Sequence, residues 1–199
     1  MCAAPISADE VAWTLADADW ERLQVEAAAA FAAHDLVAAA DSWAAALRTA
    51  RANFETDDPR LATSLANYAT ALRQKGEPVP ARLWEEALEI WGEAPAWLAR
   101  QRLLPRARSS IFHLRLQAKH GGAYDANVRR RAETLLHAAR DAAAALAAGA
   151  PAGAPDRAVF QAFRSAPRDA MRKVLAAAHL LAVPGPNHDA EAQAAQEGS

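Results

Sequence analysis

A single cysteine, Cys2, among 199 residues excludes a disulfide framework and any cysteine-based zinc site. Glycine is sparse, at eight, and Val, Ile, Thr and Tyr never run together, so no segment alternates as a half-buried strand would. No stretch approaches the roughly 20 apolar residues that span a bilayer; "AAAALAAGAPAGA" is made of small residues and broken by Gly and Pro. The start, "MCAAPISADE", carries neither the basic nor the apolar stretch of a secretory signal. A cytoplasmic protein without a membrane partner is the expectation.

Chemical signatures are lacking too. There is no H-E-x-x-H, P-loop, glycine-rich dinucleotide fingerprint or G-x-S-x-G. Of the histidines at 34, 113, 120, 137, 179 and 188, only His113 and His120 share a helix face, and they read as a solvated pair. Glu85, Glu86, Glu89 and Glu93 read as a solvated acidic face. Hence no catalytic residue, cofactor or metal is expected, and the chain is not expected to be an enzyme.

What is present in quantity is alanine, 57 residues of it. With Leu, Arg and Glu it makes a strongly helix-forming composition, and the fold class expected is all-α. Charge is unevenly placed. Residues 1–99 carry 7 Lys+Arg against 16 Asp+Glu, whereas residues 100–131 carry 9 against the single acid Asp125.

Start and stop signals divide the chain. "SADE" opens a short helix to about Leu15 within an N-terminal unit, 1–18. Asp17 or Asp19 caps a second helix from about Trp20 to Ala33, and a third runs from Val37 to about Phe54. Asp57 or Asp58, with Pro59, starts a fourth that ends at Lys75 before Gly76. Pro80 to Trp91 is a fifth, stopped by "GEAP"; a helical region at 96–119 is stopped by "HGG", and another covers 125–148. Residues 156–182 form C-terminal capping helices, and 183–199 read as a disordered tail.

Residues 23–47 and 65–88 superimpose. Ala27 matches Ala69 at an offset of 42, and Ala46 matches Ala87 at 41. The small residues let helices approach, while Trp43 and Trp84 fill the space between pairs. The six tryptophans (13, 20, 43, 84, 91, 97) are therefore expected in the core. A lone pair leaves an apolar face bare, so such pairs stack.

This order of small and large residues resembles the tetratricopeptide repeat. With Asp58, Pro59, Thr63, Ser64, Leu65 and Asn67, "DDPRLATSLANYATALRQKG" is similar to the kinesin-light-chain-like subtype with its longer period. His34 departs from the pattern, standing where a turn glycine is usual, and Pro80 replaces a packing alanine. The resemblance implies a short right-handed solenoid of about three antiparallel hairpins (19–54, 58–92 and 96–148) with flanking capping helices. The third hairpin is either a diverged repeat or an unrelated capping pair.

The resemblance also implies a concave groove lined by the first helix of each pair, where a partner segment docks. Thr63, Asn67, Thr70, Arg73 and Gln74 share the face opposite Leu65, Ala69 and Leu72. Asn67, a donor and an acceptor at once, suits the backbone of an extended peptide. Arg108, Arg115 and Lys119, with Arg100, Arg102 and Arg106, would face the same groove and favour an acidic partner. The expectation is a non-enzymatic protein–protein adaptor. The alternatives are nucleic-acid binding through the Arg-rich block 100–131, small-ligand binding, and self-association of acidic with basic end.

Overall fold

The computed structural model describes residues 13–101, 103, 111–153 and 170–181, the side chains of 111–125 excepted. All its regular structure is helical, with no strand among the described residues. The helices are α1 (Leu15–Ala32), α2 (Leu36–Asn53), α3 (Pro59–Gln74), α4 (Ala81–Arg100), α5 (Ile111–Ala147) and α6 (Ala170–Ala177). The expected helix from Ser7 and the tail 183–199 lie outside the described residues.

Local chemistry accounts for most boundaries. α1 starts earlier than expected, because Thr14 and Asp17 form a capping box. The Asp17 N–H donates to Thr14 Oγ1 at 3.2 Å, and the Thr14 N–H donates to Asp17 Oδ2 at 2.6 Å. Two orphan donors are thereby satisfied at once, which a lone Asp cap nearer Trp20 would not achieve. Asp35 caps α2, accepting from the Ala38 N–H at 3.0 Å, and Asp58 caps α3, accepting from the Arg60 N–H at 2.9 Å.

α1, α3 and α5 end alike. In each, a residue in the left-handed region follows the helix: His34 (φ 61°), Gly76 (φ 75°) and Gly149 (φ 96°). The next N–H then reaches back across the last turn, as with Asp35 N to Ala30 O and Glu77 N to Leu72 O, both 2.9 Å. His34 and Gly76 are 42 positions apart, the same offset as Ala27 and Ala69. The histidine thus adopts the backbone that a glycine takes 42 residues later.

Two expected breaks are absent. "GEAP" does not end α4, which continues through Pro95 to Arg100. Trp91, Ala94, Trp97 and Leu98 are all buried on one face, and that burial outweighs the hydrogen bond lost at proline. Likewise "HGG" does not stop α5, a single helix of 37 residues. A helix-interior glycine costs only about 1 kcal/mol, too little to end a helix flanked by good formers. The turn expected at 120–122 is therefore absent: residues 96–100 finish α4, and 111–147 form α5.

α1 packs on α2, α2 on α3, α3 on α4, and α4 on α5. The start of α1 meets the end of α2: Trp20 joins the cluster of Ala46, Leu47 and Ala50, whereas Phe31 lies with Ala39 and Trp43. The two helices are thus antiparallel. α1 and α3 run the same way, since Asp17 meets Arg60, Trp20 meets Ser64 and Gln24 meets Asn67. Of the tryptophans, 20, 43, 91 and 97 are buried as expected, while Trp13 and Trp84 are half-buried.

Candidate docking groove

The polar face of α3 is not open. Thr63, Ser64, Asn67 and Thr70 are all 0% exposed. α6 and the segment after it lie over this face, packed against α3 and α5. The expectation of a solvent-lined groove is therefore corrected: the chain's own residues 170–181 cover this face of α3.

Asn67 stands at its centre. Its Nδ2 donates to the His179 carbonyl at 3.1 Å, and its Oδ1 accepts from the Leu181 N–H at 3.0 Å. These two groups straddle Leu180, as the C=O and N–H bound by one residue of a neighbouring parallel strand do. One side-chain amide thus takes the place of a strand edge, reading backbone and not side-chain identity. The flanking leucines supply the apolar part. Leu180 enters the cluster of Leu61, Leu65 and Leu83, and Leu181 enters the other, with Phe31, Trp43 and Leu146.

Behind Asn67 runs a continuous chain of bonds. Its Nδ2 also reaches Gln24 Oε1 at 3.3 Å, which accepts from Trp43 Nε1 at 3.1 Å. Gln24 Nε2 donates to Ser64 Oγ at 3.4 Å, where Trp20 Nε1 also donates at 2.8 Å. Thr63 Oγ1 is within reach of the Ala177 carbonyl. Gln24, Thr63, Ser64 and Asn67 and the indoles of Trp20 and Trp43 thus each find a partner on this seam, as a low-dielectric interior demands.

One further point holds the filling segment, and another holds the end of α5. Arg172, 7% exposed, pairs with Glu21 and lies over the Trp13 ring, 5.0 Å from its centroid. A carboxylate and an aromatic face together form a slot for a cation. Arg73 donates to the carbonyls of Leu146 and Ala150 at the end of α5, the latter at 2.9 Å, and its guanidinium stands 5.9 Å from the Trp84 ring. Burial pushes the His179 imidazole down to about 4, so it is neutral near pH 7.

Next to the groove lies a buried ionic cluster. Arg60, 2% exposed, contacts Asp58 and Asp17, with its guanidinium 3.8 Å from the Phe54 ring centroid. Burial opposes ionisation of Asp17, but Arg60 and the Thr14 hydrogen bonds outweigh it and hold the carboxyl below its usual range. Burial likewise opposes the Arg60 charge, and the two carboxylates prevail. This cluster fixes α1 against α3 and is structural.

Of the expected partner-binding residues, the structure brings Thr63 and Asn67 onto the filling segment. Thr70 is buried and turned back to the Ala66 carbonyl at 2.7 Å, Arg73 is engaged by α5, and Gln74 is exposed at the helix end. Arg108 and the side chains of Arg115 and Lys119 lie outside the described residues. In the Arg-rich block, Arg100 pairs with Glu55 and Asp57, and Arg129 donates to the carbonyls of Leu98 and Gln101. Sequence reasoning expected Trp13 in the core and 156–182 as capping helices, but did not foresee that Glu21, Trp13 and Asn67 hold residues 172–181.

Among the described residues, small cavities of about 100 and 170 Å3 open between helices. Both fall below the ~300–1,000 Å3 of small-ligand sites. Comparison with known proteins found no matching family model, no matching curated protein and no matching solved structure.

Proposed function

We propose that this protein is a non-enzymatic, cytoplasmic adaptor built as a short tetratricopeptide-like solenoid, binding an extended segment of another protein in the groove lined by α1, α3 and α5. The carrying observation is the Asn67 clamp, which holds the carbonyl of one residue and the N–H of the second residue after it. Supporting it are the shared direction of α1 and α3 and the left-handed caps 42 residues apart. Nucleic-acid binding is the weaker reading, because Arg100 and Arg129 are spent on the chain's own carboxylates and carbonyls.

Panning a random-peptide display library on the full-length protein tests the reading. Peptides from one enriched family should bind saturably and shift the Trp43 indole N–H resonance, which is coupled to Asn67 through Gln24. Absence of enrichment, or bound peptides that leave that resonance unmoved, removes the groove as a docking site. Random oligonucleotides retained at about 150 mM salt would transfer the function to the basic block.

A further inference from the structure

Resting on that reading, we infer that residues 170–181 are a built-in surrogate ligand, and that the partner displacing them carries a basic residue eight positions before a Leu-Leu-like apolar pair. The requirement comes from the groove and not from the surrogate alone. Glu21 and the Trp13 ring form the cation slot that holds Arg172. Asn67 reads the backbone on either side of residue 180, and the two apolar clusters take the side chains at 180 and 181.

Displacement is by exchange. If 177–181 left without a substitute, Asn67 and Thr63 would lose partners in a desolvated seam, which a packed interior tolerates poorly. A segment with the same backbone groups and a similar apolar pair satisfies them equally well. The charge it presents is positive, opposite to the acidic partner that the basic block suggests.

The test uses the full chain and a labelled synthetic peptide of sequence AMRKVLAAAHLLAV, residues 170–183. In the unmodified protein, the Leu181 amide should exchange by local opening, at least tenfold faster than the α3 amides around Leu65. Full-length Leu181→Asp, with its own segment weakened, should bind the peptide at least tenfold more tightly than the unmodified chain. A peptide with Arg172→Glu should lose that gain and recover it on a Leu181→Asp chain that also carries Glu21→Arg.

Leu181 and α3 amides sharing one protection factor would make the segment plain core and overturn the inference. So would a Leu181→Asp chain that has lost its cooperative melt, or one that melts cooperatively yet ignores the peptide. A concentration-dependent dimer dissolved by the peptide would give the groove to a second copy of this chain instead. Library peptides that bind while the Leu181 amide stays protected would sink the surrogate and leave the docking reading intact.

Discussion

His179 and Arg60 show how single residues carry the strain of burial. His179 is 1% exposed, and its pKa falls from 6.5 to about 4. With the folded value below the unfolded one, the unfolded chain binds the proton first as pH falls. Stability is therefore full above pH 6.5 and declines toward pH 4, by about 3 kcal/mol in total. Urea midpoints at pH 7.5 and 4.5 should show that slope, and His179→Gln should flatten it. Asp17 has its carboxyl held below 3.8, so its contribution persists through that window and is lost only in stronger acid. Arg60→Ala would leave Asp17 and Asp58 buried beside no cation, at a cost of about 3–5 kcal/mol. Chemical denaturation measures it directly, and a loss under about 1 kcal/mol would mean that water enters the site.

At the scale of elements, the helix boundaries show where local signals decide and where packing overrides them. Thr14, Asp35 and Asp58 set three starts by hydrogen bonds within a turn; Asp58 is one of the two caps expected for α3, whereas α1 begins at Thr14 and not near Trp20. The stop expected at "GEAP" was equally explicit, yet four buried side chains of α4 override it. Gly92 has nothing within 4 Å of where a Cβ would stand, and Pro95 is exposed. Gly92→Ala should thus stabilise the protein by about 1 kcal/mol, and Pro95→Ala by about 1–3 kcal/mol through a regained helix hydrogen bond. Thermal melts of both variants check this; a lowered midpoint for Pro95→Ala would mean that the proline ring itself is used in packing.

Across the whole molecule, the groove face and the C-terminal segment form one unit although they are over a hundred residues apart in sequence. Asn67→Ala removes both bonds to that segment and one to Gln24, and should cost about 2–4 kcal/mol. The loss should fall unevenly. Hydrogen exchange should accelerate at Leu181 and His179 well before α2 and α4 respond. Uniform acceleration would show that the segment unfolds only with everything else.

From its sequence alone this chain was expected to be helical, with the start of α3 capped at Asp57 or Asp58, a near-copied pair of hairpins about 42 residues apart and an asparagine suited to gripping backbone. Those features are written in composition, in periodicity and in contacts a few positions long, so a linear reading reaches them. The partners of Asn67 lie 112 and 114 residues away, and no local pattern encodes such a distance. Only the tertiary structure decided that α4 and α5 run through their breakers, and that the groove holds the chain's own segment. The run of α4 through Pro95 and the placement of 170–181 on α3 depend on long-range burial of side chains, a sum over the folded whole that outweighs each local preference.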